Sequence, residues 1–373
     1  MKYLVILFSL VTLISMAFFI ISNKGNISPT QKNNITQTKS TENKTSEPVM
    51  VVTDNLDTPW SIAFLPDKSM LVSQRNGIVF HISKDGNEEK VGEIPSVKEY
   101  GEGGLMGVAV HPNFSVNSYV YFYYTYSENG VNTLNRVVRM GYKNNRLENE
   151  QIVVDKIPGG IFHNGGRIKF GPDGFLYITT GDATNPSLSQ NKDSLAGKIL
   201  RVTDDGKPAP GNPFKTQVYS FGHRNPQGLA WDLDKHLWET EHGPSGTWPN
   251  CCQDEINVIE AGKNYGWPEN VGDNVKSGVE AAVLHSGREI WAPAGLDYLN
   301  GSLFFAGLRG EALYEYKIAT KRLTAHFKNT FGRIRDVVVG PDNMIYITTS
   351  NLDGRGLPKR GDDKIIKINP GKL

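Results

Sequence analysis

The chain has 373 residues, with 40 Lys and Arg against 39 Asp and Glu and a formal net charge of +1; this balance gives no electrostatic reason to expect nucleic acid or a membrane held by charge alone. Its two cysteines, Cys251 and Cys252, are adjacent, which excludes a disulfide framework, a cysteine-based zinc module and the C-x-x-C-H attachment of haem. With 39 Gly, 20 Pro and 10% aromatic residues, the chain is rich in turns yet able to build a sizeable core, so neither a disordered nor a collagen-like protein is expected.

Residues 1–23 read as a membrane anchor or a signal peptide. Tyr3 to Ser22 carry no charge and open on an apolar run, Leu4-Val5-Ile6-Leu7-Phe8. Twenty such residues in a helix reach about 30 Å, the thickness of a hydrocarbon core. No A-x-A-like cleavage site is obvious and no Cys follows to accept a lipid, and both readings stay open. Residues 24–47 change to Asn, Thr, Ser and Lys, a composition that buries too little surface to offset its ordering entropy, and read as a disordered tether. Asn26, Asn34 and Asn43 each open an N-glycosylation pattern. The body, 48–373, is therefore expected outside the cytoplasm, with any membrane contact made through the N-terminal segment.

One pattern recurs in that body: an alternating apolar strand, Pro-Asp or a substitute, a polar turn, and a second apolar strand. Ile62 to Asp67, Val108 to Asn113, Ile168 to Gly174 and Val337 to Asp342 carry it clearly; Leu229 to Asp234 and Leu296 to Gly301 carry it loosely. With Pro66, Pro112, Pro172, Leu233, Leu299 and Pro341 taken as equivalent, the intervals are 46, 60, 61, 66 and 42 residues. Each unit reads as a strand, a turn, a strand and further short strands such as Tyr119 to Tyr123, with no long amphipathic helix between units. Radial closure of such units protects their edges. The expected fold is all-β, a six-bladed β-propeller, with five or seven blades if a weak repeat is miscounted.

A propeller brings loops from every blade to one axial mouth, so unusual loop segments are the candidate site. They are Phe162-His163-Asn164-Gly165-Gly166-Arg167, Gly222-His223-Arg224-Asn225-Pro226-Gln227-Gly228, Glu241-His242-Gly243-Pro244, Asp254-Glu255-Ile256-Asn257, Asn264-Tyr265-Gly266-Trp267-Pro268 and Arg333-Ile334-Arg335-Asp336. In order and spacing these resemble the glucose/sorbosone dehydrogenases, the soluble glucose and aldose sugar dehydrogenases that use pyrroloquinoline quinone (PQQ). The resemblance runs from about Leu56 to Asn369 and itself implies a six-bladed propeller with PQQ at the axial mouth.

The resemblance implies a role for each matching residue. His163 is the base that takes the proton of the sugar C1 hydroxyl, and imidazole suits this because its pKa lies near working pH. Arg224 stabilises charge on the quinone oxygen, with Asn225 as neighbouring donor. Arg333, Arg335 and Arg309 meet the three carboxylates of PQQ, Arg309 standing where the family has a lysine. Gly243 and Pro244 offer carbonyls to the Ca²⁺ that holds PQQ, while Glu255 and Tyr265 match a second, structural Ca²⁺ site. Glu102 stands where soluble glucose dehydrogenases have a glutamine, and can raise the pKa of His163 or order it by hydrogen bonding. Around Ile290-Trp291-Ala292-Pro293 the substrate-covering aromatic loop is not recognisable, which points to an open site for several aldoses. Cys251-Cys252 is either a closed eight-membered ring or two free thiols.

The expected activity is oxidation of an aldose sugar to its lactone, with electrons leaving to an external acceptor (a quinone, a cytochrome or a dye) because no haem motif is present. Two other readings compete: a non-catalytic ligand-binding propeller at the cell surface, and a sugar lactonase. The first does not require His163, Arg224 and the R-x-R pair together. The second calls for a carboxylate-rich axial metal site. Sequence gives no oligomeric state.

Overall fold

The recurring aspartates close β-hairpins. Between strands Ile168–Phe170 and Leu176–Thr180, Asp173 Oδ1 accepts from the Phe175 N–H (3.2 Å) and Oδ2 from the Tyr177 hydroxyl (2.9 Å). Asp342 does the same for Met344 N–H (3.2 Å) and the Tyr346 hydroxyl (3.0 Å), and Asp67 accepts from Ser69 N–H (2.9 Å). One carboxylate thus satisfies a turn N–H and, in these longer versions, ties the turn to an aromatic of the next strand. In the fourth unit Asp232 plays this part, accepting from His236 N–H and Trp238 Nε1–H, both at 2.9 Å. The turn itself keeps the register of the others: Asp232 N–H donates to the His236 carbonyl (3.2 Å) as Gly171 N–H does to that of Phe175 (2.9 Å), which places Leu233 where Pro172 stands, as the repeat spacing predicts.

The computed structural model describes residues 47–246 and 251–373. The expected anchor, and the tether apart from Glu47, lie outside the described residues. Among the described residues no helix is long and apolar enough to cross a membrane. The strands form six four-stranded antiparallel sheets, a six-bladed β-propeller as the repeat spacing predicts. The innermost strands are Pro59–Phe64, Leu105–Val110, Ile168–Phe170, Pro226–Trp231, Pro293–Leu299 and Ile334–Val339. Five blades follow chain order. In the sixth, the N-terminal strand Val49–Thr53 pairs with Ile365–Ile368, Val49 opposite Ile368, and closes the ring.

Alternation gives each blade two apolar faces, and adjacent blades interlock through them. Tyr121 and Tyr123 of the second blade pack with Ile168, Ile178 and Leu200 of the third. Phe304 and Leu313 of the fifth pack with Val337 and Ile347 of the sixth. Full burial of each aliphatic or aromatic side chain of this kind stabilises the fold by about 1.5–3 kcal/mol. On the axis, Arg167 and Asp336 form a buried ion pair (3.0 Å). Arg167 also donates to Ser61 Oγ (2.9 Å) and the Gln227 carbonyl (3.0 Å), so this plug ties four blades together.

Strand direction decides which loops meet. The Pro-Asp turns, joining first and second strands, lie at one end of each blade. The links from blade to blade, and from second to third strand, lie at the other. At that end, five innermost strands begin with a register irregularity: Pro59/Ser61, Leu105/Val108, Pro226/Gly228, Pro293/Leu296 and Ile334/Asp336. Bulges of this kind re-aim side chains, and here they lie at the rim of the mouth.

Candidate active site

A cavity of about 830 Å³ opens at this end and is lined from all six blades. Of the residues singled out in the sequence, Glu102, His163, Arg224, Gly243, Pro244, Arg309, Arg333 and Arg335 line it, together with Cys251 and Cys252. Asn225, Glu255 and Tyr265 lie behind its wall.

His163 sits in the link into the third blade with φ +58°, a left-handed conformation that needs support from its surroundings. Glu102 Oε2 accepts from its backbone N–H (3.1 Å). Of the two roles expected of Glu102, the structure shows the ordering one, and through the main chain. The ring belongs to Asp182, a residue the sequence reading missed: Nδ1–H donates to Asp182 Oδ1 (2.7 Å). That bond fixes the tautomer and leaves the Nε2 lone pair as the basic atom. Asp182 is fully buried and is held in turn by Thr184 N–H (2.8 Å) and Trp267 Nε1–H (2.8 Å). The Asn264–Pro268 segment thus supports the histidine.

Five arginines line the cavity, and their partners divide them. Arg355, unnoticed in the sequence, pairs with Glu102 (2.6 Å). Burial pushes the Glu102 carboxyl up, but the field of His242 and the bonded Arg355 outweigh this and bring it down to about 2. Arg333 donates from Nε and Nη2 to Asp353 Oδ2 (2.9 and 2.8 Å) and from Nη1 to the Leu308 carbonyl (3.2 Å). Its charge is therefore already paired with Asp353, although it lines the cavity where the resemblance implies a contact with the cofactor. Arg224, Arg309 and Arg335 have no carboxylate partner among the described residues. Arg309 is exposed at the rim. Arg335 makes one side-chain hydrogen bond, to Gln227 Oε1 (3.0 Å), and burial lowers its pKa to about 10. Arg224 reaches the His242 carbonyl (3.3 Å) and Ser245 Oγ (3.2 Å) and lies over Trp267, 5.3 Å from the ring centroid. Its pKa is lowered, again chiefly by burial.

Arg224 Nε, Arg335 Nε and Asn225 Nδ2 are buried at or just behind the cavity wall and have no partner among the described residues. Asn225 Oδ1 accepts from Gly165 N–H (3.0 Å), which fixes its amide. Buried cations and donors without acceptors are costly unless an anion completes them. The donor set therefore fits a polyanionic, oxygen-rich ligand.

Behind Pro244, a void of about 20 Å³ is lined by residues including Glu241, Glu255, Tyr265 and Trp267. His223, Glu239 and Glu241 place ligand atoms within 4.8 Å of one another beside it. Burial first, then neighbouring carboxylates, raises Glu239 and pushes Glu255 up to about 8, and Glu239 Oε1 has no partner among the described residues. A hard cation would answer this charge. The Tyr265 hydroxyl is engaged, donating to the Val258 carbonyl (2.6 Å) and accepting from Glu260 N–H (2.9 Å), so only its main chain is free to ligate. Trp291 is turned into the core against Phe305 and Tyr314, leaving Ile290 and Ala292 to line the cavity.

The propeller mouth thus combines a histidine–aspartate pair with arginines that lack carboxylate partners, and comparison with known proteins gives the family. The glucose/sorbosone dehydrogenase family model matches residues 56–359, and the chain belongs to that family. It is similar to the aldose sugar dehydrogenase of Escherichia coli, 30% identical over 86% of this chain and 92% of the relative. It is also similar to quinoprotein glucose dehydrogenase B of Acinetobacter calcoaceticus, 30% identical over 61% of this chain and 54% of that one. Among solved structures, the PQQ-bound aldose sugar dehydrogenase of Streptomyces coelicolor superposes with a TM-score of 0.80 at 41% identity, covering 86% of this chain and 97% of that one.

Proposed function

We propose that this chain oxidises aldose sugars at C1 to lactones with PQQ and Ca²⁺ as cofactors, outside the cytoplasm, and passes the electrons to an external acceptor. The observation that carries the reading is the His163–Asp182 pair opening onto the same cavity as three guanidinium groups without carboxylate partners.

His163 Nε2 takes the proton of the C1 hydroxyl, while Asp182 keeps the ring oriented and stabilises the imidazolium that forms; a base so placed contributes about 10²–10⁴-fold. When bound, PQQ supplies the two-electron acceptor for the C1 hydride. Arg224 sets a fixed positive charge in a buried site, where it acts strongly on developing negative charge, and Asn225 supports it as a donor. Arg335 and Arg309 would meet cofactor carboxylates, with Arg333 and Asp353 bracing the wall beside them. The Gly243 and Pro244 carbonyls would hold the cofactor's Ca²⁺. Glu255, with Glu239 and Glu241, would hold a second ion, Tyr265 contributing its carbonyl. With Ile290 and Ala292 lining the cavity and Trp291 turned away, the site suits sugars of several shapes.

The test is reconstitution. Metal-free apoprotein is expected to reduce an artificial dye only when PQQ and Ca²⁺ are both supplied, with several of glucose, galactose, xylose and arabinose as donors. A folded protein that reduces no dye under any combination would return the weight to a binding propeller.

A further inference from the structure

Cys251 and Cys252 are joined by a disulfide, are both buried, and line the axial cavity beside Gly243 and Pro244. The contacts around this ring converge on those two residues. Cys252 N–H donates to the Pro244 carbonyl (3.0 Å). The carbonyl oxygens of Cys252 and Gln253 lie so close to Gly243 that no Cβ fits there. Asp254 Oδ1 accepts from Gly243 N–H (2.9 Å), and its Oδ2 accepts from Trp291 and Ala292 N–H (2.8 and 2.9 Å). To present these groups together, Cys252 and Gln253 adopt successive left-handed conformations, φ +77° and +56°. Residues with a Cβ leave that region readily unless held. A covalent link between adjacent side chains restricts the torsions available to both.

We infer that the Cys251–Cys252 ring is a positioning element: it locks residues 251–253 and thereby holds the Gly243–Pro244 segment at the cavity wall. The functional consequence rests on the reading of Gly243 and Pro244 as calcium ligands, whereas the structural one rests on the contacts alone. Opening the ring with a dithiol reductant breaks the S–S bond and transfers two electrons and two protons, giving two cysteine thiols and the oxidised, cyclic reductant. The Gly243–Pro244 segment then loses its lock.

The full chain is compared as isolated, reduced with a dithiol, reoxidised after removal of the reductant, and as the double variant Cys251→Ser, Cys252→Ser. Amide exchange over residues 243–254 is read by mass spectrometry in every state. Calcium affinity is read by calorimetry, and quinone affinity by absorbance for the states free of reductant. The ring-open forms are expected to exchange faster over 243–254 while the blades stay protected. Their calcium affinity should fall by about 10–100-fold, the range typical for loss of a group that orients ligands. In the variant the loss should appear in the calcium and quinone concentrations required, not in the rate at saturation, and reoxidation of the reduced form should restore protection. Unchanged exchange in the double variant overturns the inference, as does loss of protection throughout the propeller, which would make the ring a general structural link. Wild-type protein that binds neither calcium nor quinone sinks the functional reading, and exchange over 243–254 still decides whether the ring holds the segment.

Discussion

The partners of individual side chains separate residues that look alike in the sequence. Arg333 and Arg335 lie two apart and both line the cavity, yet one is paired with Asp353 and the other is not. Arg333→Ala leaves Asp353 buried without its partner and is expected to cost stability, about 3–5 kcal/mol, read as a lower Tm of the apoprotein. Arg335→Ala is expected to spare the fold and weaken quinone binding by about 1.5–3 kcal/mol, read by titration. Equal effects on both readouts would refute the division. His163→Ala should lower kcat by about 10²-fold or more with quinone affinity kept, and Asp182→Asn should lower kcat as well by unsettling the tautomer. Glu102 carries a pH signature. Its folded-state carboxyl titrates near 2, below the 4.5 of an unfolded chain. Its contribution to stability is thus complete above pH 4.5 and is lost as pH falls towards 2. Wild type should therefore be more stable than Glu102→Gln above pH 4.5, and the gap should close as pH falls towards 2; a gap independent of pH would count against this. Sequence exposed His163 because it sits in an unusual loop. Asp182 follows an ordinary strand, and only its three-dimensional partners, His163 and Trp267, mark it.

At the scale of strands and turns, the sequence was most legible where one chemical device repeats. Asp67, Asp173 and Asp342 each close a hairpin, so the repeat and the blade coincide. The fourth unit lacks the proline and draws its turn-closing carboxylate from Asp232, yet keeps the same turn, with Leu233 in the place of Pro172. The opposite rim repeats a backbone irregularity at the start of five innermost strands but no side-chain device among the described residues. There each loop is unique, and its partners come from other blades, as with Trp267 on Asp182 or Arg355 on Glu102. Sequence could name the loops but not the pairings. The closing strand allows a direct test. A chain beginning at Glu47 is expected to fold with β-rich circular dichroism, since it retains Val49–Thr53. One beginning at Leu56 leaves Ile365–Ile368 as an unpaired edge and should melt about 10 °C lower or more. Equal melting of the two would mean that this pairing contributes little.

For the whole molecule, cofactor, metal and ring closure act on one body, because the mouth is built from every blade. Calcium bound only to the folded state stabilises it by mass action, about 2.7 kcal/mol at one hundred times its Kd. Metal-free protein should therefore melt higher when calcium is added, and Glu255→Gln should shrink the shift; a melting curve indifferent to calcium would remove both metal sites from the proposal. Closure itself has a consequence in time. Val49 pairs with Ile368, so the first of the described strands to leave the ribosome must wait for almost the last. The cost of joining such distant segments falls late in folding. Until then the sixth blade is incomplete, and the plug of Arg167 and Asp336 lacks one half. A nascent chain therefore cannot seal its ring until synthesis is nearly complete.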